Sequence, residues 1–185
     1  MGKIVVFLIL GVIAVVLAVF AIWFIIATNK IKAARLKVEE AGSGIDVALT
    51  KRYDVLTKQL AVVKEYTSHE SKTLFETIKL RSGMALTEKI EVSNKMDEVA
   101  TQFRLTAEAY PELKSSANYA ELQKAISDVE EHLQAARRLY NANVTAYNTI
   151  IAMFPTSLAA NAIGAEKRDL FQAEEHKRND VEMKF

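Results

Sequence analysis

The chain has 185 residues and a formal net charge of +1, enough for one domain without the basic excess that draws a protein to nucleic acid. It contains no cysteine, which excludes disulfides, thiolate metal sites and a lipid-modified cysteine anchor. Half of the residues are apolar, and much of that share sits in one block at the N-terminus.

From Ile4 to Ala27 there are 24 consecutive residues without a charge. A bilayer-spanning helix needs about 20 such residues at ~1.5 Å rise each, and inside hydrocarbon a helix pairs every backbone N–H internally. Trp23 stands near the end of the run, where its indole N–H reaches the interface. The run exceeds the short apolar core of a cleaved signal, and it is followed at once by a basic stretch, which favours a retained anchor over residues 1–29. Lys3 precedes the anchor, whereas Lys30, Lys32, Arg35 and Lys37 follow it. The positive-inside rule then places the N-terminus outside and the domain in the cytoplasm.

Beyond the anchor, apolar residues recur at helical spacing. Val38, Ala41, Ile45, Leu49, Leu56, Leu60 and Val63 share one face, with Lys51, Arg52 and Lys58 off it. Gly42-Ser43-Gly44 interrupts this run and predicts a kink, because each glycine costs about 1 kcal/mol against alanine. A second helix is expected from Ser68 as N-cap, with Leu74, Phe75 and Ile78 inward, ending near Ser82-Gly83. A third runs from Leu86 to Tyr110 on a stripe of Leu86, Ile90, Met96, Val99, Phe103, Ala107 and Tyr110, and Pro111 stops it. The fourth begins at Asn118 as N-cap, with Glu121 three residues on. Its stripe is Leu122, Ile126, Val129, Leu133, Ala136, Tyr140, Val144, Tyr147, Ile151 and Phe154, and Pro155 closes it. The expected fold is all-α: an N-terminal transmembrane helix, then an antiparallel up-and-down bundle of about four long helices over residues 30–155. Residues 156–185 read as a charged arm, mobile or draped on the surface, with Gly164 as a hinge.

Few residues suggest chemistry. His69-Glu70 opens like a zinc-protease motif, but Thr73 stands where the second histidine is required, and His132 and His176 have no ligand partner at helical spacing. Asp46, Asp54, Asp128, Glu130 and Glu131 are carboxylates on two helices, read as surface charge with local partners such as Lys51. No phosphate loop, nucleophile elbow or kinase signature occurs, so no catalysis, metal, cofactor or small-molecule substrate is expected. The most motif-like constellation is Arg137, Arg138, Tyr140, Asn141, Tyr147 and Asn148. Its two Tyr-Asn pairs repeat at seven residues on one face, either as a polar ladder joining neighbouring helices or as a partner-binding surface.

Three ordered blocks resemble the LemA family of bacterial membrane proteins. One is Gly44-Ile45-Asp46-Val47 with Leu49, Lys51, Arg52, Val63-Lys64 and Tyr66, followed by His69-Glu70 and Leu80-Arg81. Another is Tyr110-Pro111-Glu112-Leu113-Lys114 with Asn118-Tyr119, Leu122 and Gln123. The third is Ala136-Arg137-Arg138, Tyr140-Asn141, Val144, Tyr147-Asn148 and Phe154-Pro155, with Val181 and Phe185 at the end. The resemblance implies a bacterial inner-membrane protein with one membrane helix, a helical bundle on the inner side and no assigned enzymatic activity. It also implies an association with membrane-protein quality control, including HtpX-like zinc proteases. The expected function is a membrane-anchored scaffold or interaction protein, with the bilayer and one or more proteins as partners. Two alternatives are a homo-oligomeric membrane-organising assembly, favoured by Gly11, Ala14, Ala18 and Ala21 in the anchor, and an accessory subunit of a membrane protease.

Overall fold

The structure, a computed structural model, describes residues 2–64, 78, 80, 81 and 83–172. Among them every regular element is an α-helix: α1 Gly2–Lys64, α2 Leu86–Ala109, α3 Pro111–Lys114, α4 Ala117–Ala152 and α5 Thr156–Ala162. The fold is therefore all-α, one long apolar N-terminal helix followed by two long and two short helices. Most of the helix expected from Ser68, including Leu74 and Phe75, lies outside the described residues, but Ile78, Leu80 and Arg81 are described and are not helical, so no helix reaches Ser82-Gly83. Of its inward positions, Ile78 is described and is buried.

Anchor and first bundle helix are one uninterrupted helix. From Ile4 to Ile26 the large aliphatic side chains stand open, as does Phe7 at 73% exposure. The most apolar stretch has a mean hydropathy of 3.4 and buries none of its residues. The core helix of a soluble protein hides such a face, whereas here the first fully buried residue is Ala27. Water would oppose this much uncovered apolar surface and a bilayer would accept it, so α1 associates the protein with a membrane.

The kink expected at Gly42–Gly44 does not break α1. Tertiary packing overrides the low helix propensity. Ala41, Ile45, Ala48 and Leu49 are buried around the glycines, and Lys89 Nζ donates to the Gly42 carbonyl at 3.1 Å. The Tyr140 ring passes 3.8 Å from the point where a Gly42 Cβ would stand.

The described chain forms two compact units, each with its own core. In one, residues 2–40 with 142–169, the buried apolar side chains include Ile31, Val38, Val144, Tyr147, Ile151, Ala159 and Ala160. In the other, residues 41–141 with 170–172, they include Ile45, Leu49, Leu56, Met96, Phe103, Leu113 and Leu133.

α2 starts where Glu88 Oε2 accepts the Ala85 N–H at 2.8 Å, while Arg81 pairs with the other oxygen of the same carboxylate. Both contacts favour the anion, the backbone bond most, and hold the Glu88 carboxyl below its usual range. The inward face of α2 is Lys89, Val92, Ser93, Met96, Val99, Phe103 and Ala107. The expected stripe is thus corrected at its ends: Leu86 and Ile90 are half-buried and Tyr110 is 42% exposed. The helix turns Lys89 and Ser93 inward to meet polar partners.

The N-cap of α4 is Ser116 rather than Asn118. Ser116 Oγ accepts the Tyr119 N–H at 3.2 Å, satisfying one of the four N–H groups that a helix start leaves unpaired. At 36 residues, α4 is about 54 Å long. Phe154 lies past its end in the turn before α5 and is 79% exposed, so the stripe stops at Ile151. After Gly164, at φ 64°, residues 165–172 run on without helix.

These caps can be measured in thermal melts of the full chain in mild detergent. Ser116→Ala should cost about 1 kcal/mol, whereas Asn118→Ala should cost a few tenths at most. The Glu88 cap is fully present above the pKa of an unfolded glutamate and fades as pH falls through the depressed folded value. Parent and Glu88→Gln should therefore differ at neutral pH and converge in strong acid.

Candidate functional site

Arg52 sits on α1 with its side chain only 3% exposed, inside the unit formed by residues 41–141 and 170–172. An unpaired guanidinium there would be costly, and three groups meet it. Nη2 lies 2.5 Å from Asp97 Oδ1 of α2 and 2.5 Å from Glu130 Oε1 of α4. Nη1 donates to the Ser93 carbonyl at 3.1 Å and reaches Ser93 Oγ at 3.5 Å. Ser93 Oγ also accepts from Arg137 Nη2 on α4, so one hydroxyl oxygen receives two cationic donors. Burial pushes the Arg137 pKa down, Asp97 opposes that shift, and the like charge of Arg52 adds to it.

Beside this network lies a polar recess of about 320 Å³, lined by Arg52, Gln59, Thr101, Arg104, Gln123 and Glu130 among others. Gln59 is 1% exposed, and its Oε1 has no hydrogen-bond donor among the described residues. The recess mixes cations with carboxylates, so it selects no single charge. Asp97 and Glu130 share one guanidinium, which makes them members of an ion-pair network rather than a free acid–base couple. A second inter-helix pair joins Lys89 Nζ to Asp46 Oδ1 at 2.8 Å. That carboxylate oxygen has no aligned hydrogen bond among the described residues, so the contact with Lys89 is coulombic.

The outer side of Arg137 carries the next contact. Its guanidinium carbon stands 4.7 Å from the centre of the Phe171 ring, a cation–π geometry worth about 0.5–2 kcal/mol. Asn141, one turn along α4, fixes the same residue by its backbone. Its Nδ2 donates to the Phe171 carbonyl at 3.0 Å, and its Oδ1 accepts the Phe171 N–H at 2.7 Å. The side-chain amide thus imitates a paired residue of a β-ladder, exchanging both bonds with one residue of the non-helical segment. In the unit of residues 2–40 and 142–169, Asn148 makes the equivalent pair with Arg168, at 2.9 Å in both directions.

Each residue of the motif-like constellation on α4 can now be placed. Tyr140 and Tyr147 are buried, at 8% and 2% exposure. Arg137 is half-buried over Phe171, and Arg138 is exposed. Asn141 and Asn148 bind the backbone of the following extended segment rather than a neighbouring helix. Two expectations about carboxylates change. Asp46 pairs with Lys89 on α2 instead of Lys51, and Glu130 turns to Arg52. Asp54, Asp128, Glu131 and His132 are exposed, while His69, Glu70 and His176 lie outside the described residues. Among the described residues no group of three or more His, Cys, Asp or Glu side chains is placed to hold a metal. Sequence reasoning set Arg52 off the apolar face and overlooked Ser93 and Gln59. Spacing held the signal, because Arg52 falls three residues after Leu49 and four before Leu56, on the stripe itself.

Two comparisons bear on this geometry. A family model described as the LemA family matches residues 41–185. The chain is also 28% identical over 171 residues to Protein LemA of Metamycoplasma hominis, covering 90% of this chain and 78% of that protein.

Charge removal at the network separates its parts. Arg52→Ala leaves Asp97 and Glu130 facing one another. Breaking a buried pair costs about 3–5 kcal/mol, and carboxylates a third exposed to water bring the expectation to the low end. Arg52→Met combined with Asp97→Asn and Glu130→Gln should recover most of that loss. Tyr140→Ala should cost about 3–5 kcal/mol and Arg138→Ala under about 1 kcal/mol. Thermal melts of the full chain give all four values. A parent-like melt for Tyr140→Ala would move that tyrosine from core to recognition surface.

Proposed function

The chain belongs to the LemA family, and on that premise we propose that it is a membrane-anchored scaffold that holds protein partners against a bacterial inner membrane. The observation that carries the proposal is the continuity of α1. The same helix presents uncovered apolar residues up to Ile26 and supplies Ile45, Leu49 and Leu56 to a packed helical core. One helix thus belongs both to the membrane segment and to the domain on which the partner surface is proposed. Three carboxylates that could have served acid–base work, Asp97, Glu130 and Asp46, instead pair with the buried cations Arg52 and Lys89. That use favours binding over chemistry.

The orientation proposed is N-terminus outside and domain in the cytoplasm, supported by Lys30, Lys32, Arg35 and Lys37 after the anchor against Lys3 before it. The partner surface is proposed on α4, at the exposed Arg138 and its neighbour Leu139, which is 59% exposed. Arg137, Tyr140, Asn141, Tyr147 and Asn148 belong to the same proposal as the residues that shape this face and fix the segment beside it. Components of membrane-protein quality control are the first partners to seek. A second reading, self-association through the anchor, draws on Gly11, whose surroundings are open: nothing stands within 4 Å of where its Cβ would be.

Two measurements decide these points. A reporter fused after Phe185 and active only outside the cytoplasm should stay silent, and a strong signal reverses the orientation. Crosslinking in native membranes, followed by purification of the full chain, should recover a partner that Arg138→Glu with Leu139→Lys loses while the melt stays unchanged. Equal recovery with that double variant removes the α4 face from the proposal.

A further inference from the structure

The unit of residues 2–40 and 142–169 holds a recess of about 340 Å³. Lys32 and Arg35 reach it from α1, and Lys167 and Arg168 from the extended segment after α5. Tyr147 and Ile31 form part of its apolar wall. Four cations stand against one lining carboxylate, Glu166. Glu39 also pairs with Arg35 at 2.9 Å, but both side chains are more than half exposed, and water leaves such a pair little net strength.

The height of this recess along α1 is informative. The apolar run ends at Ala27, and Lys32 follows five residues later, about 7.5 Å of helix. The polar layer on each side of a bilayer is about 5–8 Å deep, so Lys32 falls where headgroup phosphates lie. Lys167 and Arg168 are distant in sequence, and their arrival here has a visible cause. Asn148 holds both backbone groups of Arg168, which sets that residue and its neighbour at the recess. A cluster of cations drawn from two chain segments, lining a mainly polar recess with one apolar side at phosphate depth, fits a singly charged phosphodiester better than it fits diffuse surface charge.

We propose that this recess binds the phosphodiester headgroup of an anionic phospholipid, with Lys32, Arg35, Lys167 and Arg168 as its contacts and Asn148 as a positioning residue. The lipid comes from the leaflet that the domain faces. The site depends on membrane association through α1 and shares Tyr147 and Asn148 with the partner face proposed above, but its cations are distinct from Arg138 and Leu139, so the two tests fail separately.

The test is native mass spectrometry of the full chain in mild non-ionic detergent, titrated separately with phosphatidylglycerol, phosphatidylcholine and inorganic phosphate. Phosphatidylglycerol should bind at least tenfold more tightly than the other two. Lys32→Gln and Arg168→Gln should each weaken it about fivefold, the equivalent of ~1 kcal/mol per cation near the surface, and together about 25-fold. Lys124→Gln, an exposed cation on α4 outside the recess, should change nothing. Asn148→Ala removes no charge, yet it should weaken binding while the far-ultraviolet helical signal is retained. Parent-like affinity in the Lys32→Gln/Arg168→Gln double variant overturns the site. So does equal binding of phosphatidylcholine. Inorganic phosphate binding as tightly as the lipid reassigns the recess to a free anion and overturns the lipid. Should Asn148→Ala lose its fold, the two surface cation variants decide the outcome alone.

Discussion

Burial of the Arg52 guanidinium is the constraint on which the larger unit turns. A cation with a 3% exposed side chain must be neutralised, and α1 itself offers no carboxylate within reach. The charges come from Asp97 on α2 and Glu130 on α4, so three helices are fixed to one side chain. Apolar packing alone would tolerate a helix sliding or rotating by a fraction of a turn. Two contacts at 2.5 Å to one nitrogen do not. Ser93 completes the arrangement by accepting from both Arg52 and Arg137, which ties the α4 guanidinium to the same point on α2.

That constraint explains which features were legible in the sequence. The apolar run over Ile4–Ala27, the all-α class and the inward Val129, Leu133, Tyr140, Val144, Tyr147 and Ile151 of α4 follow from periodicity, and the structure has them. The errors cluster where polar residues occupy inward positions. Arg52 and Gln59 sit on the apolar stripe of α1, and Lys89 and Ser93 on that of α2, where a hydrophobicity count passes over them. Local rules failed similarly at two points. Asn118 has good capping chemistry, yet Ser116 stands one residue before the helix and takes the role. Gly42 and Gly44 weaken a helix in isolation, but buried neighbours hold it together here.

The Tyr-Asn repeat shows why a motif can be seen and still be misread. Seven residues are close to two helical turns, so both pairs were rightly set on one face. Adjacent residues of a helix point about 100° apart, however, and the two members of each pair do different work. The tyrosines turn into the packed side, where an aromatic body gains most from burial. The asparagines face the next seam and receive chain that arrives from beyond α5. Nothing local to α4 announces that chain, because Arg168 and Phe171 are 20 and 30 residues away from the asparagines that hold them.

The spacing nevertheless contains the answer in a form that can be checked arithmetically. Asn141 and Asn148 are seven residues apart on a helix, about 10.5 Å along its axis. Arg168 and Phe171 are three residues apart, a separation that fully extended chain spans in about 10 Å. A helix at 1.5 Å per residue and an extended segment at 3.3–3.4 Å therefore come into step at seven against three. Asparagine suits each meeting point because its short amide offers one donor and one acceptor in a plane, as a peptide group does. Leucine or lysine at either position would supply no such pair and leave the extended backbone to water. On this reasoning a Tyr-Asn repeat at seven residues marks a helix that buries one face and uses the next to guide an extended segment. The side chains which that segment carries, Arg168 and Phe171 here, then decide what the guided segment is for.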